Sequence, residues 1–126
     1  MSVQKIHHYS ISAPASVLQD MVEFYGEFLG LVPGDRPDFG IPGYWLYASG
    51  EPILHLIEDE NRSKTAKGYF DHIALRCEDR EVIKAKLDSG NISYSDFEFA
   101  VGETVQAQIV ITDPAENSVE LNFLIS

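Results

Sequence analysis

Hydrophobic positions along this chain follow two rhythms, one of period two and one of three to four, and their order occurs twice. Residues 5–11 (Lys-Ile-His-His-Tyr-Ser-Ile) alternate in part and predict a strand. Over Ser16 to Leu29 the apolar residues Leu18, Met21, Val22, Tyr25, Phe28 and Leu29 recur at spacings of three and four, which predicts a helix. Ser16 is its expected N-cap, and Gly30 followed by Pro33-Gly34 its stop. Residues 44–49 and 52–58 read as strands joined by a turn at Ser49-Gly50-Glu51. Residues 59–68 are polar and unpatterned, the expected linker.

The same order then restarts. Residues 70–76 predict a strand, and residues 80–89 a short helix with Asp79 as N-cap, Val82, Ile83 and Leu87 inward and Gly90 past its end. Residues 92–97, 105–112 and 118–124 predict three more strands, the last two joined by the turn Asp113-Pro114-Ala115-Glu116-Asn117. The second half is thus strand, helix, three strands. The first half matches it if a weakly patterned strand lies within residues 31–40. One such half covers a single face of a small sheet. Two halves, of about 1–60 and 68–126, predict one α+β domain with a curved mixed sheet, helices outside and a cavity within.

The repeat also aligns residues that bind metals. His72 follows His8 by 64 positions, each on the first strand of its half, and Glu120 follows His55 by 65, each on a last strand. Strand alternation gives their direction. Ile73 and Leu75 should pack on the helix and turn His72 away. Leu121 and Phe123 do the same for Glu120, Tyr9 and Ile11 for His8, and Leu54 and Leu56 for His55. His7 has the wrong parity and reads as an ordinary polar residue. A lone strand histidine is more often structural than a ligand. Four ligand-type residues on matched positions of one face are harder to explain that way, because buried together they need a cation. Imidazole with carboxylate is a common transition-metal set. The expected cofactor is one divalent ion held by His8, His55, His72 and Glu120.

Charge and composition narrow the partners. With 44% hydrophobic residues, the 126-residue chain can bury one core. A net charge of −11 disfavours nucleic acid and anionic membranes. No run is apolar enough to span a bilayer, and the first residues do not read as a signal peptide. The single Cys77 permits no internal disulfide and fits a reducing, cytoplasmic setting.

At these residues the chain resembles the vicinal oxygen chelate superfamily, which includes glyoxalase I, extradiol dioxygenases, methylmalonyl-CoA epimerase and fosfomycin- and bleomycin-resistance proteins. The likeness is carried by Ile6-His7-His8-Tyr9-Ser10-Ile11, Phe24-Tyr25 with Leu29-Gly30-Leu31, Trp45-Leu46-Tyr47 and His55-Leu56-Ile57-Glu58. In the second half it is carried by Asp71-His72-Ile73-Ala74-Leu75, Asp113-Pro114, Asn117 and Val119-Glu120-Leu121. The resemblance implies paired βαβββ modules, a homodimer, and an ion that holds two neighbouring oxygens of a small substrate. It implies a lyase or isomerase in which Glu120 acts as the catalytic base, the ion being Zn, Ni, Co or Mn. A ring-cleaving dioxygenase using Fe or Mn and a non-catalytic protein that sequesters a small molecule such as a drug are the alternatives. His55 stands where glyoxalase I usually has a carboxylate, so Glu120 is the remaining one. Fosfomycin chemistry needs a basic cluster, and from Asp88 onward there is no Lys or Arg. For the substrate, Trp45 and Tyr47 share a strand face, Gln108 alternates into the presumed cavity beside Gln106, and Arg76 shares the face of His72 and suits an anionic group.

Overall fold

A computed structural model of the chain describes residues 5–63, 70 and 72–125. Part of the expected linker, 64–68, and Asp71 of the expected strand 70–76 lie outside the described residues. The chain divides into two compact units, Met1–Ser63 and Lys64–Ser126.

The first unit runs β1 (Tyr9–Ala13), α1 (Ala15–Leu29), β2 (Val32–Gly34), β3 (Gly43–Ala48) and β4 (Glu51–Glu58). Its sheet has the order β1-β4-β3-β2. β1 is parallel to β4 and the other pairs are antiparallel. A parallel pair needs a crossover, and α1 supplies it. Buried Leu18, Met21, Phe24, Tyr25 and Phe28 on α1 meet a sheet face built from buried Leu46, Leu54 and Leu56.

Local chemistry explains where the elements depart from the sequence pattern. β1 starts at Tyr9 and continues to Ala13, because Ser10, Ser12 and Ala13 pair with β4 despite weak hydrophobicity. Ser16 is not the N-cap of α1. Pro14 holds that place, its carbonyl accepting from Val17 and Leu18, while the Ala15 N–H donates to Glu60 Oε2 at 2.7 Å. A carboxylate 45 residues away thus satisfies the helix start. At the other end Gly30 takes φ 72°, and the Gly30 and Leu31 N–H groups return to Gly26 and Tyr25 carbonyls. The weakly patterned strand is β2, three exposed residues at the sheet edge, where Pro33 is tolerated. Gly34 is required there: a Cβ would lie 2.8 Å from the ring of Tyr47.

The second unit runs β5 (His72–Arg76), α2 (Arg80–Ser89), β6 (Ser95–Val101), β7 (Thr104–Thr112) and β8 (Ser118–Leu124). Its sheet order, β5-β8-β7-β6 with β5 parallel to β8, repeats the first unit's topology. Its core is Leu87, Ala107, Ile109, Ile111, Val119, Leu121 and Phe123. Val82, expected inward, is 54% exposed. Asp79 occupies the N-cap position in a left-handed conformation, without a side-chain cap bond. The β7–β8 turn is built on buried Asp113, whose Oδ1 accepts from the Ala115 and Asn117 N–H groups and whose Oδ2 accepts from the Asn117 side chain.

Charge ties α2 to β6. Asp96 accepts from Arg80 Nη2 at 2.7 Å, Arg80 Nε at 3.1 Å and Lys84 Nζ at 2.9 Å. Burial alone would push its carboxyl up, but the bonds from Lys84 and Arg80 outweigh that and hold it below the usual value. A depressed carboxyl stabilises the fold above its unfolded pKa, and that stability goes as pH falls through the lower folded value. Asp96→Asn is expected to cost about 1–2 kcal/mol at pH 7. In urea melts the gap to wild type should close in strong acid; a gap unchanged below pH 3 would refute the assignment.

Candidate metal centre

In the first unit the face turned away from α1 is defined by cross-strand neighbours. Ser10 and Trp45 flank His55 from either side. Tyr9, of opposite parity, reaches α1 through its hydroxyl, 3.5 Å from that of Tyr25. On the outer face three rings form a stack. His55 lies parallel to His8 at 3.7 Å between centroids and parallel to Trp45 at 4.1 Å. His55 is 8% exposed, whereas His8 is exposed. Tyr47 joins this face: Gly34 pairs with Trp45, and the Tyr47 ring covers Gly34 while its hydroxyl donates to the Asp35 carbonyl at 2.7 Å.

The protonation of His55 follows from its partners. Its Nε2 is 3.0 Å from the Pro52 carbonyl, which can only accept, so Nε2 carries the hydrogen. Burial, and then the nearby His8, lower its pKa and favour the neutral ring. A neutral ring with hydrogen on Nε2 leaves its lone pair on Nδ1. Metal-binding histidines are commonly held by such a bond from the other nitrogen. Stacked rings, however, direct their in-plane lone pairs side by side. His8 and His55 therefore share an ion only if one ring turns.

His7, whose parity reads as that of an ordinary polar residue, has its Nδ1 2.8 Å from His8 Nδ1. Both residues precede β1, where strand alternation has no hold. The signal available in sequence was adjacency: two histidines at the entry to a strand. The contact engages His8 Nδ1.

In the second unit the face turned from the core carries His72, Ala74 and Arg76 on β5 and Glu120 and Asn122 on β8. His72 Nε2 is 3.6 Å from Glu120 Oε1, with the glutamate side chain only 17% exposed. Two donors bound to one ion at about 2.0–2.2 Å stand roughly 3.0–3.6 Å apart. The His72–Glu120 pair fits a shared ion with little movement. Across the next row of the sheet stand Arg76, Asn122, Gln108 and Phe97 in adjacent register. Phe99 lies beside Phe97, with ring centroids 6.0 Å apart.

Each unit thus carries one pair of ligand-type side chains, on the side of its sheet turned from the core. Among the described residues no cluster of three or more His, Cys, Asp or Glu is close enough to hold an ion. Other groups fall elsewhere. A cleft of about 640 Å³ in the first unit, lined by Leu18, Arg36, Asp38, Tyr44 and Glu58 among others, holds none of the candidate ligands. Tyr94 donates to Asp88. Burial pushes the Cys77 thiol up to about 11, so it is no nucleophile at neutral pH. No helix among the described residues is long and apolar enough to cross a membrane.

Comparison with known proteins adds the following. A family model, the Glyoxalase/Bleomycin resistance protein/Dioxygenase superfamily, matches residues 5–121. No curated protein matches significantly. Among solved structures, a proposed glyoxalase family protein from Bacillus anthracis is 22% identical, with a TM-score of 0.74 over 99% of this chain and 98% of that one. A glyoxylase/bleomycin resistance protein/dioxygenase domain from Frankia sp. EAN1pec is 14% identical, with a TM-score of 0.73 over 98% of this chain and 100% of that one. TnmS3, an antibiotic binding protein from Streptomyces sp. CB03234, is 21% identical, with a TM-score of 0.62 over 99% of both chains. At these identities the likeness shows the fold alone.

Proposed function

This chain belongs to the glyoxalase/bleomycin resistance protein/dioxygenase superfamily, and from that premise we propose that it is a metal-dependent lyase or isomerase acting on a small substrate with two neighbouring oxygens. The observation that carries the reading is the His72–Glu120 pair, 3.6 Å apart on the outer face of β5 and β8. In the first unit His8 and His55 form a second pair of ligand-type side chains, His55 offering Nδ1 once its ring leaves the stack. A bound divalent ion would act there as a Lewis acid on the two oxygens. Glu120 is the carboxylate placed to take a proton from the carbon beside those oxygens and return it. Arg76 and Gln108 orient the substrate from the adjoining row, and in the first unit Trp45 and Tyr47 offer an apolar surface on the face of His55.

Trp45, the single tryptophan, provides a direct test. Titrating metal-free protein with Zn, Ni, Co or Mn should saturate near one ion per site and change Trp45 fluorescence as His55 turns from its ring. Loaded protein should then turn over 2-oxo aldehyde–thiol adducts or 2-methyl-acyl thioesters. No saturable binding of any of these ions would remove the reading.

A second reading, a protein that sequesters a small aromatic molecule, is favoured by the His8–His55–Trp45 stack, which already accepts flat rings at 3.7 and 4.1 Å. It is consistent with the fold of the antibiotic-binding TnmS3. It predicts aromatic ligand binding that survives His72→Ala.

A further inference from the structure

Among the described residues two buried side-chain polar atoms lack a hydrogen-bond partner, Arg36 Nε and Asn122 Oδ1. Asn122 stands on β8 two residues after Glu120, on the same face. Its amide orientation is not arbitrary, because a chain of bonds dictates it. The Val101 carbonyl can only accept, so Thr104 Oγ1 donates to it at 2.8 Å. The lone pairs of Thr104 Oγ1 then take the amide hydrogen of Gln106 Nε2 at 3.5 Å. Gln106 must therefore present Oε1 to Asn122, whose Nδ2 donates to it at 3.1 Å. Rotating the Asn122 amide would set oxygen against oxygen. The chain ends with Asn122 Oδ1 as a buried acceptor that no group among the described residues satisfies.

Such an atom costs free energy unless something donates to it. Its immediate cross-strand neighbours are Arg76 and Gln108. We propose that Asn122 Oδ1 is a specificity-determining acceptor for an N–H or O–H of the substrate, so that the substrate class is one bearing a hydrogen-bond donor next to its metal-chelating oxygens. Resting on the chelate reading above, it adds the donor requirement. The relay through Gln106 and Thr104 holds the acceptor in place before the ligand arrives, so no bond within the protein has to break, and only the groups that cover the oxygen must move aside to admit the donor. Ligands that present only acceptors to this point would leave two oxygens facing each other and be rejected.

Two probes isolate the donor. Benzohydroxamic acid and N-methylbenzohydroxamic acid share the vicinal oxygens and the phenyl ring, and only the first has an N–H. Calorimetry on zinc-loaded wild type should give on the order of tenfold tighter binding for benzohydroxamic acid. In Asn122→Leu, which keeps the volume and removes the acceptor, the preference should vanish. In Gln106→Leu, which frees the Asn122 amide to rotate, it should shrink. Equal binding of both probes to wild type overturns the inference while leaving the chelate reading intact, and needs no variant to fold. A preference that persists in folded Asn122→Leu would be steric and would also overturn it. Binding of neither probe to zinc-loaded protein would remove the chelate reading, and this inference with it.

Discussion

Glu120→Gln is expected to weaken divalent metal binding by at least roughly 100-fold and to abolish turnover, with little change in the fold. Loss of a group that only hydrogen-bonds a metal ligand typically costs about 10–100-fold in affinity, and Glu120 is the proposed anionic ligand itself. Glutamine keeps the shape and one acceptor oxygen but removes the charge that offsets the ion and the basicity needed for proton transfer. The glutamate side chain is 17% exposed, and its cross-strand neighbours are Ala74 and Val110. A neutral amide there should be no worse for folding than a sheltered carboxylate without its cation. Elemental analysis and urea melts of the two proteins side by side would check this. Equal metal content would rule out Glu120 as a ligand, and lost metal with a collapsed melt would mark a structural role instead.

Leu121→Ala should be the most damaging single truncation to stability, about 3–4 kcal/mol by comparison with buried leucines elsewhere. Leu121 is fully buried at the centre of β8, between Leu75 on β5 and Ile109 on β7. No solvent can fill the space its side chain leaves, and three hydrogen-bonded strands cannot close over it. The melting temperature should fall by roughly 10 °C. Leu124→Ala, on the same strand but 55% exposed, should stay within about 0.5 kcal/mol of wild type. Thermal melts of the pair, in metal-free buffer, separate burial from strand propensity. Similar losses in both would contradict the placement of the core.

Both substitutions were legible as core or face before any coordinates. Leu121 and Glu120 differ by one step along a strand, and alternation sends one inward and the other outward. The same parity correctly turned His55 from α1 and Tyr9 toward it. The order of elements was equally plain where hydrophobicity was strong, as in α1, β4 and β8. It faded where pairing, not composition, makes the strand. β2 is three residues with Pro33 and Gly34 at its centre and end, and is a strand because β3 lies beside it.

What the linear sequence determined is the duplicated order, the core, and the sheet face on which His55, His72 and Glu120 stand. These follow from periods of two and of three to four, which neighbouring residues set among themselves. What only the tertiary structure decided is which groups meet: Glu60 at the start of α1, His7 on His8, the His8–His55–Trp45 stack, the hydrogen on His55 Nε2, and the relay that leaves Asn122 Oδ1 unpaired. The contacts of Glu60 with α1, of His8 with His55 and of Asn122 with Gln106 join residues far apart in the chain, and the one between sequence neighbours, His7 and His8, lies outside any strand. Angstrom-scale distances and the direction of each donor govern them, and no local pattern of hydrophobicity encodes either.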